Sequence, residues 1–229
     1  MKSYLEDSKQ WEIAVLLTVP LFVVYEIGLL LFSDGGVRNA ADVMITKDLL
    51  QVHGRTGGLI LNGAVFLLFL VAAARGRSRF APGMLLLLFL ESALWSRLIP
   101  LMGYLTAGLD GLRIGWDRDL WTDVALGVGA GLYEELLFRL GFVAGGFVLL
   151  HRAFGVDRIW AAVIAVLVSS ALFSGFHHIG DFGEPWNVQV FTFRFLAGVV
   201  LGLLMVFRGL AVCCWTHALY NVGLLLGTA

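Results

Sequence analysis

The sequence predicts an all-α membrane protein, a polytopic bundle of about seven transmembrane helices. Of its 229 residues, 59% are hydrophobic and only 14% are charged, whereas charged residues make up about 25% of a typical soluble domain. The mean hydropathy is +0.86. Apolar runs recur along the chain with lengths close to the roughly 20 helical residues that cross a bilayer core. These observations place the chain in the membrane class.

Seven apolar segments are candidate spans, and they lie at about residues 12–32, 57–74, 82–105, 121–150, 158–178, 189–207 and 210–227. Within the mixed polar connection 33–56, residues 40–52 are expected to form a short interfacial helix. The sequence has no repeat, low-complexity tract or long linker, so residues 1–229 are expected to form one integral membrane domain. The net charge of −1 gives no indication of a nucleic acid partner, and membrane lipid is the expected surrounding. No oligomeric state is indicated.

Arginines in the connecting loops predict the orientation of the chain. Arg75, Arg77 and Arg79 crowd the loop after the second span, and Arg152 and Arg158 flank the loop after the fourth. Because cytoplasmic loops carry an excess of Lys and Arg, we expect the N-terminus inside and the C-terminus outside. The expected location is the cell membrane of a prokaryote, the inner membrane where there are two.

Glycines are abundant in the second half of the chain and are expected to permit close helix packing. The pairs Gly141/Gly145 and Gly198/Gly202 have the spacing of small residues on one helix face. In lipid such faces let helix backbones approach each other closely.

Two adjacent carboxylates and a guanidinium, Glu134, Glu135 and Arg139, lie inside an otherwise apolar segment. A charge at bilayer depth costs at least ~2.5 kcal/mol, so such groups pair, line a wet cavity or do chemistry. Glu135 and Arg139 are four residues apart and can pair on one helix face. Glu134 is rotated from its neighbour by about 100° and can face a cavity as a general base, with the pair as structural support. The alternative is an ion network that only fixes helix packing.

Two further segments add histidines in apolar surroundings. Phe173 and His177 share a helix face at the end of the fifth span, where Phe173 supports a histidine that can position water or transfer protons. His217 and Asn221 share a face in the last span, and two such donors can stabilise an oxyanion by ~3 kcal/mol each. The alternative for this pair is ordinary interhelical hydrogen bonding.

Together these groups suffice for water attack on an amide carbonyl. The candidate catalytic residues are Glu134, His177, His217 and Asn221, and no HExxH zinc helix is present. A metal-free mechanism that depends on the glutamate is favoured. Two histidines and a glutamate are also a known catalytic zinc set, so Glu134, His177 and His217 would be the ligands if a divalent metal such as zinc were bound.

With these motifs the chain resembles the CPBP family of intramembrane proteases. This family comprises the type II CAAX prenyl endopeptidases and the bacteriocin-processing proteins, and it is also called the Abi family. Its EExxxR motif corresponds to Glu134–Arg139, FxxxH to Phe173–His177 and HxxxN to His217–Asn221. The segment Phe195–Gly202 resembles the glycine-rich penultimate helix of the family. The resemblance covers a protease core at about residues 120–227.

The resemblance implies an intramembrane endopeptidase in which Glu134 and His177 activate water and His217 and Asn221 form the oxyanion hole. Relatives that process prenylated proteins tend to have eight spans, one more than is predicted here. The expected substrate is therefore a membrane-anchored or exported protein, cut at a CAAX-like site or at a C-terminal sorting signal. Two other functions stay open, namely a non-catalytic immunity or resistance module on the same scaffold and a proton-coupled transporter.

Overall fold

The computed structural model describes residues 2–32, 39–44, 83–106, 120–180 and 183–226, together with 57, 60, 62–68, 70, 71 and 74. These residues form helices and loops without any β-strand, so the predicted all-α class is confirmed. The first four helices are α1 (Lys2–Asp7), α2 (Trp11–Phe32), α3 (Gly83–Ser96) and α4 (Leu98–Thr106). The others are α5 (Leu120–Ala153), α6 (Arg158–Phe176), α7 (Val188–Arg208) and α8 (Leu210–Leu225).

Five helical segments in the described part of the chain are long and apolar enough to cross a membrane. They are α2, the α3–α4 pair over Gly83–Thr106, α5, α6 and α7, and they coincide with five of the predicted spans. Helix α8 is apolar but has 16 residues, fewer than the roughly 20 of a simple span. The predicted span 57–74 and the interfacial helix 40–52 lie partly outside the described residues, and their stretches 62–68 and 40–44 are helical.

Burial in this molecule is inverted relative to a water-soluble protein. Leu94 and Ile159 are 76% and 72% exposed, whereas Glu135 and Arg139 are fully buried. An apolar outer surface is stable when hydrocarbon surrounds it, and ionisable groups then face the interior of the bundle. The distribution is that of an integral membrane protein.

Helix α5 lies at the centre of the bundle, between α2 and α8. A Cβ atom added at Gly131 would lie 2.5 Å from the backbone nitrogen of Ala218, so the backbones of α5 and α8 are in contact there. On the α2 side, a Cβ at Gly129 would lie 2.3 Å from the ring of Tyr25. These close approaches bring the glutamate pair, one turn further along α5, next to α8.

The predicted role of the later glycine pairs is confirmed for one pair and wrong for the other. Gly198 and Gly202 of α7 pack directly against side chains of α6. Within 4 Å of a Cβ at Gly141 or Gly145, by contrast, the described chain places only carbonyl oxygens of α5 itself. The physical reason is that α5 widens into π-helical turns over Leu136–Gly145, where both of these glycines are on the exposed face.

The contact at Gly131 leads to a stability prediction. Gly131→Ala is expected to destabilise the protein by about 1–3 kcal/mol, because overpacking a well-packed contact costs that much. The melting temperature in detergent, followed by tryptophan fluorescence, should fall by about 2–4 °C for each kcal/mol.

The matched control is Gly146→Ala, also in α5. Its Cβ would meet Ala165 at an ordinary 3.6 Å, and alanine is the better helix former, so its melting temperature should be unchanged or higher. Equal melting temperatures for the two variants would contradict the close α5–α8 packing.

Candidate active site

The three sequence motifs lie on α5, α6 and α8, and the packing of these helices brings the motifs together. Glu134 comes from α5, His177 immediately follows α6, and His217 lies about two turns into α8. The Oε2 atom of Glu134 lies 3.9 Å from the Nε2 atom of His177 and 3.9 Å from the Nε2 atom of His217. One carboxylate oxygen therefore faces two imidazole nitrogens across gaps longer than a hydrogen bond.

His217 is oriented by the second glutamate. Its Nδ1 atom lies 2.8 Å from Oε1 of Glu135, and a carboxylate accepts a hydrogen bond there, so Nδ1 carries a proton. The other oxygen of Glu135, Oε2, lies 3.0 Å from Nε of Arg139, in a close ionic contact that lacks the angle of a hydrogen bond. The sequence predicted this ion pair, and the structure shows that it also holds the imidazole of His217.

His177 is oriented by the backbone of its own helix. Its Nδ1 atom lies 2.8 Å from the carbonyl oxygen of Phe173, an atom that can only accept, so Nδ1 is the donor. In the neutral ring, Nε2 is then an acceptor directed at Glu134. The side chain of His177 is 23% exposed, compared with 7% for Glu134 and for His217. The cluster is therefore most open at His177.

The segment that follows His177 is fixed by a second ion pair. The backbone N–H of Glu184 donates to the carbonyl oxygen of His177 at 2.8 Å. Arg194 of α7 donates two hydrogen bonds of 2.8 Å to the carboxylate of Glu184. This bidentate pair ties the loop after α6 to α7, and it keeps His177 in place although its helix has ended.

Phe173 packs against both histidines and the arginine. Its ring centroid lies 5.0 Å from that of His177 and 5.9 Å from that of His217, both edge to face. The guanidinium carbon of Arg139 lies 4.6 Å from the same centroid, which is a cation–π contact. The side chain predicted as support thus fixes the relative positions of α5, α6 and α8.

Asn39 is a site residue that the sequence reasoning missed. Its Nδ2 atom donates a 3.1 Å hydrogen bond to Oε1 of Glu134, the carboxylate oxygen that does not face the histidines. It lies 95 residues before Glu134, within the polar connection after the first span. The one available signal was local, because Asn before a helical stretch is a preferred N-cap residue, and that signal says nothing about a contact with Glu134.

Asn221 lies one turn beyond His217 on α8, as the sequence predicted, but the structure places its amide against another partner. Its Nδ2 atom donates a 3.1 Å hydrogen bond to the carbonyl oxygen of Gly127. Glu134, His177 and His217 therefore lie together, whereas the amide of Asn221 is hydrogen-bonded to an earlier turn of α5.

The cluster contains the residue types of a catalytic zinc site. Across the described ranges, no group of three or more His, Cys, Asp or Glu side chains is arranged to hold a metal ion. The Nδ1 atoms of both histidines are used within the protein, and Oε1 of Glu134 is bound by Asn39. Donation from Nδ1 is also usual for histidines that bind a metal through Nε2, so Glu134, His177 and His217 stay the expected ligands of any divalent metal, and we assign no catalytic step to one.

A cavity of about 480 Å³ lies beside the cluster. Leu132, Tyr133 and Leu136 of α5 line one wall, and α2 supplies another. Trp11, the first residue of α2, and Lys9, in the turn before it, also line the cavity. None of the four candidate catalytic residues lines this cavity, so it adjoins the glutamate on a different face of α5.

Comparison with known proteins gives a family match for the C-terminal part of the chain. Residues 116–223 match the family described as type II CAAX prenyl endopeptidase Rce1-like, and this segment contains all three motifs. Neither the curated proteins nor the solved structures include a match. The predicted resemblance is confirmed: residues 116–223, slightly less than half of the chain, are similar to the type II CAAX prenyl endopeptidase Rce1-like family.

Proposed function

We propose that this protein hydrolyses a peptide bond of a membrane-anchored substrate with a water molecule activated by Glu134 and His177. The observation that carries the proposal is the position of Oε2 of Glu134, 3.9 Å from two imidazole Nε2 atoms in a buried cluster. A polar gap of that length is suited to a bridging water. The water would donate one hydrogen to Oε2 of Glu134 and the other to Nε2 of His177.

The proposed reaction needs no covalent enzyme intermediate. The water oxygen bonds to the carbonyl carbon while Glu134 takes its proton, and the electron pair of the C=O bond moves onto the carbonyl oxygen. When the tetrahedral intermediate collapses, the C–N bond breaks and Glu134 passes the proton to the leaving nitrogen. The carboxylate is thereby restored, as general acid–base catalysis requires.

His217 and Asn221 are the proposed oxyanion donors. Nδ1 of His217 donates to Glu135, so Nε2 of the neutral ring is an acceptor. In the imidazolium form both nitrogens carry a proton, and Nε2 then donates to the oxyanion. The amide nitrogen of Asn221 has two N–H groups, one of which is used by Gly127. The second can serve the oxyanion, and Glu135 with Arg139 keeps His217 aligned.

The cavity beside the cluster is the proposed site for the apolar anchor of the substrate. Its lining is mostly apolar, and it includes Tyr133, the direct neighbour of Glu134. Arginine-rich loops support an orientation with the N-terminus inside, which puts His177 near the outer side. In a prokaryotic cell membrane, such a site suits anchored or exported proteins that carry a CAAX-like or C-terminal sorting signal.

Glu134→Gln tests the proposal most simply. The amide cannot accept the proton of the water, so cleavage should fall by about 10²–10⁴ while folding is retained. The assay is mass spectrometry of a library of anchored peptides in proteoliposomes, including farnesylated peptides that end in CAAX. The control is Glu6→Gln, an exposed carboxylate. Full activity of Glu134→Gln, or no cleavage of any peptide by the wild type, would contradict the proposal and favour a non-catalytic module.

Metal independence is a separate prediction. Because the described side chains form no metal-holding group, dialysis against EDTA and addition of 1,10-phenanthroline should leave the cleavage rate of the wild type unchanged. A loss of activity that added zinc restores would contradict the metal-free mechanism.

The anchor site is tested by filling the cavity. Val15→Trp adds bulk to its lining and should raise KM for an anchored peptide about tenfold, since one lost apolar group in a pocket costs a factor of about 10–200. Val163→Trp, on the exposed surface of α6, is the matched control. Equal KM values for both variants would exclude the cavity as the anchor site.

A further inference from the structure

Asn39 reaches the candidate base from outside the segment that matches the family. We propose that Asn39 is a positioning residue, which binds Oε1 of Glu134 so that Oε2 is the oxygen presented to the two histidines. The inference rests on the proposed function of Glu134 as the base. Its starting observation is the 3.1 Å hydrogen bond from Nδ2 of Asn39 to Oε1.

The orientation of the Asn39 amide is determined by its other contacts. Its Oδ1 atom accepts hydrogen bonds from the backbone N–H groups of Ala41, at 2.9 Å, and Asp42, at 3.4 Å. A backbone N–H group can only donate, so the atom facing it must be the amide oxygen. The NH₂ group is then directed at Glu134, and a flipped amide would lose all three hydrogen bonds.

The backbone of Asn39 is tied to helix α2. Its N–H group donates to the hydroxyl of Tyr25 at 3.1 Å, and that hydroxyl donates to Oδ2 of Asp42 at 2.7 Å. Both Tyr25 and Asp42 are fully buried. The ring of Tyr25 also packs against Gly129 of α5, so Asn39 is held at a fixed height relative to the helix that carries Glu134.

Two consequences follow for the carboxylate. A donor on Oε1 favours the ionised form, which is the form that a general base needs. It also restricts rotation of the carboxylate, so that Oε2 stays opposite the two Nε2 atoms. The segment that matches the family, residues 116–223, therefore depends on an upstream residue for the orientation of its candidate base.

Substitutions can separate this contact from the capping role of Asn39. Aspartate and serine are both good N-cap residues. Asn39→Asp keeps the shape and the cap but puts an acceptor against Glu134, and Asn39→Ser keeps the cap without reaching the carboxylate. Asn187, the N-cap of α7, accepts hydrogen bonds from Gln189 and Val190 in the same way, so Asn187→Asp and Asn187→Ser are matched controls.

The readout is the protonation of Glu134, which requires no substrate. Dicyclohexylcarbodiimide modifies protonated carboxyl groups in apolar surroundings, and fragment mass spectrometry distinguishes Glu134 from Glu135. In the full-length protein in detergent, labelling of Glu134 should persist to a pH about one to two units higher in both Asn39 variants than in the wild type. In both Asn187 variants, labelling of Glu134 should depend on pH as it does in the wild type. If Asn39→Asp does not fold, Asn39→Ser gives the same test.

Wild-type labelling in a folded Asn39 variant, or an equal shift in the Asn187 variants, would overturn the inference. Where a cleaved peptide is available, kcat/KM of Asn39→Ser at pH 7 should fall about tenfold or more, with the acidic limb of the pH profile moved upward. The proposed function fails separately, through an active Glu134→Gln variant, and that result would leave the labelling shift intact.

Discussion

The buried series of contacts from Arg139 through Glu135 to His217 determines the geometry of the site. Lipid cannot stabilise any of these groups alone, and removing one partner of a buried ion pair leaves an uncompensated charge. Arg139 is also held over the ring of Phe173 and donates to the carbonyl oxygen of Gly198 on α7. These charged groups have all their partners only when α5, α6, α7 and α8 pack together. The need to pair them therefore favours one arrangement of the helices.

This arrangement leaves Glu134 with a different environment from that of its neighbour. Glu135 is fully buried against Arg139 and His217, whereas the two oxygens of Glu134 have separate surroundings. One oxygen is bound by Asn39, and the other faces His177 and His217, each of which uses Nδ1 elsewhere. Adjacent carboxylates with unequal partners are what a site needs when one must move a proton and the other must not.

Much of the fold and part of the candidate site could be predicted from the sequence. Apolar segments of spanning length identified the helices, and spacings of four residues put Glu135 with Arg139, and Phe173 with His177, on shared faces. Asn39 could not be found in this way, because its contact with Glu134 depends on how the polar connection after α2 folds back onto α5. The hydrogen bond of Asn221 to Gly127 depends likewise on the exact height of α8 beside α5. The wide turns of α5 that expose Gly141 and Gly145 have no periodic signature in the sequence.

The proposed mechanism depends on one water molecule that lies between Glu134 and the imidazoles. An experimental structure of the protein in lipid, at a resolution that shows ordered solvent, tests this most directly. The account predicts density for a water at about 2.6–3.2 Å from both Oε2 of Glu134 and Nε2 of His177. A dry cluster in which Glu134 bonds directly to either histidine would contradict it.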